Sequence, residues 1–175
     1  MAHINPEKKS PMIFRKFESQ KNISFSESCR QSGRVPDSHV LAFCRKSSDS
    51  LTSDFLQLAP DEEVFFLERL LLADGIPIID VHTWLPVRLF PDFDPKAVEN
   101  GSFFEYLKSA YSYSTADFSR STVSVTTASA DMAQTLSLAL GDPVMILDSY
   151  MQSPDGAPLY ISREYIAGSR YTISF

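Results

Sequence analysis

The chain contains an Asp-Gly-x-Pro sequence twice, each time between two apolar runs, and this repeat limits the fold more than any other feature. Residues 70–86 are LLLADGIPIIDVHTWLP, and residues 150–166 are YMQSPDGAPLYISREYI. Because Asp and Gly tolerate the positive φ angles of tight turns, each stretch predicts a β-hairpin. The fold must therefore accommodate two similar hairpins.

The segments before the two hairpins also follow one order. Residues 40–45 and 122–125 predict a strand before each hairpin, and the first hairpin strands are expected at 64–72 and 143–151. A helical pattern lies between the strands of each half. It consists of Leu51, Phe55 and Leu58 in the first half and of Ala128, Met132 and Leu136 in the second, where a helix is expected over 129–140. Two related β-α-β-hairpin halves predict an α+β fold, with one mostly antiparallel central sheet and flanking helices on one side.

Composition and charge narrow the function. A chain of 175 residues, 43% of them hydrophobic, is expected to form one domain over residues 13–175, after a polar tail or linker at 1–12. No apolar run reaches the roughly 18 residues of a membrane helix and no secretory signal is evident, so we expect a cytoplasmic protein. A formal net charge of −6 argues against DNA binding by this chain alone.

Sequence motifs for enzymatic chemistry are missing. The chain has no phosphate-binding loop, dinucleotide-binding motif, zinc-protease motif or hydrolase nucleophile motif. Cys29 and Cys44 form no zinc motif, and the three histidines have no evident catalytic partners. We therefore predict no catalytic residue, no cofactor and no metal. His82, on the first hairpin, is either a solvated strand residue or part of a binding site.

Arg69 is the strongest candidate for a binding residue. Strand alternation places it on the same face as Phe65, Leu67 and Leu71, whereas Glu68 points to the other face. An arginine on an apolar face needs a partner. That partner is either an acid from a neighbouring strand or an anionic ligand, which a guanidinium can hold with two hydrogen bonds.

Two capping boxes predict helix starts. One spans Ser24–Glu27, with Gly33 ending the helix, and the other joins Ser102 to Glu105. Free backbone amides at a helix start can bind an anion, although Glu105 itself already interacts favourably with the helix dipole. Ser102 is therefore either an anion-binding residue or a simple cap.

In their order along the chain, these segments resemble a known family. The stretches that carry the resemblance are LERLLLADGIPIIDVHTWLP, GSFFEYL, STVSVTTASA, LSLALGDPVMIL and SPDGAPLYISREYIAGSRYTISF. They are similar to the UTRA domain, the effector-binding domain of GntR-type bacterial transcription regulators of the HutC subfamily, over nearly everything after about residue 13. The resemblance implies a chorismate lyase-like fold, a homodimer, and a pocket for a small anionic metabolite such as a phosphonate or phosphosugar. It also implies that DNA is read by an N-terminal winged helix-turn-helix, for which we find no match in this sequence.

The resemblance further implies site residues. Arg69, Ser102, Arg170 and Tyr171 match family positions, whereas Val81 stands where members that bind aminosugar phosphates often have an acid, which favours a phosphonate or another small oxyanion. The full set that we expect to bind the ligand is Arg69, His82, Thr83, Ser102, Phe103, Arg120, Arg163, Tyr165, Arg170 and Tyr171.

Two alternatives remain open at this point. One is a chorismate lyase-like enzyme that holds a small aromatic carboxylate with Arg69, and the other is a dimerisation module with a vestigial pocket. The lack of a clear acid–base pair beside Arg69 favours a sensor domain over an enzyme.

Overall fold

A computed structural model describes residues 13–18, 21–22, 24–113 and 117–174 of the chain. The predicted tail at 1–12 lies outside these residues. Within them, no helix combines the length and the apolar character needed to cross a membrane.

The described residues form nine strands, four α-helices and one 3₁₀ helix. The strands are β1 (Ile13–Glu18), β2 (Lys21–Asn22), β3 (Pro36–Ser47), β4 (Glu63–Ala73), β5 (Ile76–Pro86), β6 (Asp117–Thr127), β7 (Pro143–Gln152), β8 (Pro158–Ala167) and β9 (Tyr171–Ser174). The helices are α1 (Phe25–Gln31), α2 (Ser50–Leu56), α3 (Phe103–Tyr111) and α4 (Ala130–Leu136), and the 3₁₀ helix is Pro95–Val98.

A six-stranded antiparallel sheet in the order β3-β4-β5-β8-β7-β6 forms the centre of the fold. The order shows two equivalent halves, β3-α2-β4-β5 and β6-α4-β7-β8, which meet where β5 pairs with β8. The predicted α+β fold with two related halves is therefore confirmed. A smaller sheet, β2-β1-β9, contains the parallel pair β1 and β9.

Both predicted hairpins are present. Asp74 and Gly75 adopt φ angles of 51° and 76° in the first turn, and Gly156 adopts 85° in the second. Asp74 tolerates this conformation because its carboxylate accepts hydrogen bonds from the Val35 backbone and the Arg34 side chain, both at 2.9 Å. The repeated sequence thus closes both hairpins, but through different turns: a two-residue turn at Asp74 and Gly75, and a longer one over residues 153–157.

Helices cover both faces of the sheet, so the expectation of helices on one side is wrong. On the face that carries Leu67 and Arg69, called here the front face, α3 packs through Leu107 in a core cluster with Leu67. On the back face, Leu56 of α2 packs against Val64 and Tyr150. Because the long strands carry apolar residues on both faces, both need a covering layer.

The helices within the two halves are shorter than the apolar patterns predict. α2 ends at Leu56 and α4 at Leu136, because the next residues, Gln57 and Ser137, adopt left-handed conformations that cap the helices. Of the predicted pattern in the first half, Leu51 is 58% exposed, whereas Phe55 and Leu58 pack against the core cluster that contains the fully buried Leu56. The strand predicted at 40–45 extends in both directions, over the full length of β3.

Candidate functional site

A cavity lies between the front face of the sheet and the segments that cover it. Its floor comes from β4, β5, β7 and β8, and its cover from β1 and the starts of α1 and α3. Residues of the floor include Arg69, Val81, Ser149, Tyr160, Ser162 and Glu164. The cavity volume is about 60 Å³. Because one water molecule needs about 10–15 Å³ of such space, the cavity admits a few waters or a small polar ligand.

Arg69 brings a positive charge to this cavity. Its residue is only 6% exposed, and its guanidinium lies 4.6 Å above the ring of Phe103. Its Nε has no hydrogen-bond partner among the described residues. Burial lowers the pKa of Arg69 to about 10, an effect that Tyr160 and Glu164 partly oppose. The guanidinium therefore stays charged at neutral pH, with a hydrogen-bond donor free.

Tyr160 adds a second unsatisfied polar group in the same cavity. The residue is 2% exposed, and its ring meets that of Phe103 edge-on at 5.5 Å between centroids. Its hydroxyl has no hydrogen-bond partner in the described structure. Burial raises the pKa of Tyr160, so the phenol is neutral at physiological pH. Buried polar groups are normally satisfied, so an unpartnered donor and hydroxyl in one cavity indicate a ligand or ordered water.

The acid nearest to Arg69 across the sheet already has a partner. Arg69 pairs in register with Val81, and Val81 pairs with Glu164, so one strand separates the arginine from the carboxylate. Glu164 instead forms a buried ion pair with Arg15 at 3.1 Å. No carboxylate of the described residues lies within ion-pairing distance of Arg69, which favours the anionic-ligand alternative over an acid from a neighbouring strand.

Two helices begin at the cavity, as their capping boxes predict. Ser24 accepts a hydrogen bond from the Glu27 amide at 3.1 Å, and Ser102 accepts one from the Glu105 amide at 3.4 Å. Ser24 and Ser102 both line the cavity. The nine-residue α3 adds the partial positive charge of its N-terminus on the side where Phe103 contacts Arg69.

The structure brings together only part of the predicted ligand-binding set. Arg69, Ser102 and Phe103 line the cavity. Thr83 is buried on the same strand face as Val81, with its hydroxyl unpartnered in the described structure, but it does not reach the cavity wall.

Four predicted residues lie on the back face instead. The rings of His82 and Tyr165 pack against each other at 5.1 Å between centroids. Arg163 holds Asp148 with two hydrogen bonds of 2.6 and 2.9 Å, and Arg120 lies 4.4 Å above the ring of Tyr150.

The last two predicted residues, Arg170 and Tyr171, are not among the residues that line the cavity. The Arg170 guanidinium donates hydrogen bonds to the backbone carbonyls of Pro77, Leu136 and Ser137, at 2.7, 2.6 and 2.7 Å. It thereby ties the end of α4 to β5. Tyr171 is buried in the core beside Arg15, and burial raises its pKa.

Sequence reasoning missed the second half of the cavity. Along β8, Tyr160, Ser162 and Glu164 face the cavity, whereas the predicted residues Arg163 and Tyr165 lie on the opposite face of the strand. The signal was strand pairing, because Val81 pairs with Glu164 and lies on the same face as Arg69. Arg15, in the first strand, carried no motif.

The sequence identifies the family. The family model described as the UTRA domain matches residues 31–172, and the chain belongs to the UTRA domain family. The chain spans about half the length of the first curated relatives that it matches.

The relatives are transcriptional regulators by name. The chain is 24% identical to the probable fructoselysine utilization operon transcriptional repressor of Escherichia coli K12 over 119 residues. These residues make up 68% of this chain and 49% of the relative. It is 25% identical over 150 residues to the HTH-type transcriptional regulator YurK of Bacillus subtilis strain 168, covering 86% and 62% respectively. The crystal structure of the effector domain of PhnF from Mycobacterium smegmatis has the same fold, with a TM-score of 0.79 at 20% identity and coverage of 93% and 97%. The prediction of a regulator domain rather than an enzyme is confirmed by this family and these relatives.

Proposed function

We propose that the chain is the effector-sensing domain of a GntR-type transcriptional regulator and that the front-face cavity binds a small anionic metabolite. The observation that carries this proposal is the pair of unpartnered polar groups in one cavity, Arg69 Nε and the Tyr160 hydroxyl. A buried charge without a partner is costly to the fold, and an anionic ligand would offset that cost. The positive end of α3 adds to the attraction.

The remaining lining indicates an effector that carries hydroxyl groups as well as a negative charge. Ser149 and Ser162 line the cavity together with Asp37 and Glu164, whereas the hydroxyl of Ser38, another lining residue, donates to the Val98 carbonyl at 3.2 Å. Such groups accept hydrogen bonds from ligand hydroxyls, whereas Arg69 suits a phosphate, phosphonate or carboxylate. A phosphosugar or a hydroxylated phosphonate combines both features.

Val81 stands where the family resemblance leads us to expect an acid, but the fold brings another carboxylate close to this position. Glu164 lies directly opposite Val81 on the neighbouring strand, so a carboxylate is present beside the position where the family resemblance leads us to expect one. Because Arg15 neutralises this carboxylate, it acts as a hydrogen-bond acceptor more than as a free negative charge.

Effector binding would act on DNA through another module. We propose a cytoplasmic regulator in which the effector favours one conformation of this domain and a joined winged-helix module reads the operator. With a formal net charge of −6, this chain is expected not to bind DNA by itself at physiological salt.

A panel of ligands tests the proposed function. Phosphonates, phosphosugars, urocanate and sulfate would be added to the protein while its thermal unfolding midpoint is measured. A ligand at one hundred times its dissociation constant stabilises a protein by about 2.7 kcal/mol, so a true effector raises the midpoint clearly. The response should disappear in Arg69→Met and weaken in Tyr160→Phe.

Arg120→Met is the matched control. It removes an arginine that lies over an aromatic ring, as Arg69 does, but on the back face and away from the cavity. Its ligand response should equal that of the wild type. A ligand that stabilises Arg69→Met as strongly as the wild type would refute the proposed site.

A further inference from the structure

Glu68, Asp80 and His82 form a cluster on the back face, away from the effector cavity. Glu68 and His82 are directly opposed on β4 and β5, and Asp80 lies two residues before His82 on the same strand face. One ligand-type atom from each residue lies within 4.8 Å of the others, and His82 Nε2 is 3.4 Å from Asp80 Oδ2. Two adjacent strands thus present two carboxylates and an imidazole to one point.

Within the described residues, the only ion-pair contact of these two carboxylates is the one between Asp80 and the His82 imidazole. Asp80 is 6% exposed, and its Oδ1 has no hydrogen-bond partner in the described part of the chain. Glu68 forms no ion pair with an Arg or Lys among the described residues. Arg163, opposite His82 on β8, is already bound to Asp148. A cation at the cluster would therefore remove an uncompensated negative charge.

The surroundings hold the imidazole in place and leave one side open. The rings of Phe66, Trp84 and Tyr165 pack around His82, with centroids 5.3, 6.3 and 5.1 Å away. The His82 side chain is still 24% exposed. A metal ion held there could complete its coordination with water.

We propose that Glu68, Asp80 and His82 bind one divalent transition-metal ion of the Zn²⁺ or Co²⁺ type. One imidazole and two carboxylates suit such ions, whereas Mg²⁺ and Ca²⁺ prefer oxygen ligands alone. In a tetrahedral zinc site with ligand distances of about 2.0–2.2 Å, donor atoms lie about 3.3–3.6 Å apart. His82 Nε2 and Asp80 Oδ2 already have this separation, and the other separations in the cluster, which are within 4.8 Å, need to shorten by at most about 1.5 Å. The site does not depend on the effector cavity.

The single tryptophan of the chain provides a measurement. Trp84 is beside His82, so Co²⁺ bound at the cluster should quench its fluorescence. Titration with Co²⁺ should give saturable quenching with one ion per chain, competition by Zn²⁺, and no response to Mg²⁺. His82→Gln and Asp80→Asn should each weaken binding by at least about tenfold, because each removes a ligand.

His39→Gln is the matched control, since His39 also contacts two carboxylates, those of Asp37 and Glu99, but at exposed positions. It should bind Co²⁺ as the wild type does, and so should Arg69→Met. A second readout, the thermal unfolding midpoint with Zn²⁺, should rise in the wild type and stay unchanged in Asp80→Asn. Absence of saturable quenching in the wild type, or unchanged affinity in both His82→Gln and Asp80→Asn, would overturn the metal site.

Discussion

The two buried arginines of the cavity differ in whether a carboxylate binds them. Arg15 and Arg69 are 4% and 6% exposed and line the same cavity. Arg15 binds the Glu164 carboxylate. Burial lowers the pKa of Arg15, but Glu164 and Tyr171 together raise it above its ordinary value. Arg69 has no such carboxylate, so burial dominates and its pKa falls. The first arginine therefore supports the fold, and the second is available to a ligand.

This contrast predicts opposite effects of two substitutions on stability. Glu164→Gln leaves the buried Arg15 without its counter-charge and should lower the free energy of unfolding by about 3–5 kcal/mol. Arg69→Met removes a buried charge without stranding an acid and should leave that free energy unchanged or slightly higher. Chemical denaturation of both variants gives the comparison. A large loss of stability in Arg69→Met would mean that the arginine is a structural residue.

At the scale of elements, the cavity depends on how the first turns of helices are placed. Ser102 caps α3 at the cavity, and Ser129 caps α4, where its hydroxyl accepts a hydrogen bond from the Met132 amide at 3.3 Å. Of these two serines, Ser102 lines the cavity and Ser129 does not. The two serines therefore make similar capping contacts in different surroundings.

Substitutions of these two capping serines can distinguish an effect on ligand binding from an effect on helix stability. Ser102→Ala and Ser129→Ala should each lower the free energy of unfolding by about 1 kcal/mol, the usual cost of losing an N-cap. Only Ser102→Ala should also reduce stabilisation by the effector. Equal ligand responses in the two variants would limit Ser102 to capping, the simpler alternative that the sequence left open.

Sequence patterns predicted the elements of this fold better than its site. Asp74-Gly75 and the capping serines act locally, so the hairpins and helix starts could be predicted from neighbouring residues alone. The site depends on which strand faces meet. Strand alternation separates Ser162 and Glu164 from Arg163 and Tyr165, but it does not say which set faces Arg69. The Glu68, Asp80 and His82 cluster was missed for the same reason, since it forms only when β4 and β5 pair.

For the whole molecule, we expect a homodimer. Regulators of the proposed type read near-palindromic sites as twofold dimers, and the family resemblance places part of the dimer contact in this domain. Light scattering at micromolar concentration should give about twice the chain mass of 19.6 kDa. A species of single-chain mass across the concentration range would contradict a dimer formed by this domain.

The claim that Arg69 anchors an anionic effector can be tested most directly by following its own side chain. In ¹⁵N NMR spectra of the arginine Nε–H groups, assigned with the Arg69→Met variant, the best ligand of the panel would be titrated into the protein. We predict that the Arg69 signal shifts on binding because its Nε gains a hydrogen-bond acceptor. The signal of Arg163, whose Nε already donates to Asp148, and that of Arg170, whose terminal nitrogens are bound to backbone carbonyls away from the cavity, should stay in place. A ligand that binds and leaves the Arg69 signal unchanged would contradict the account.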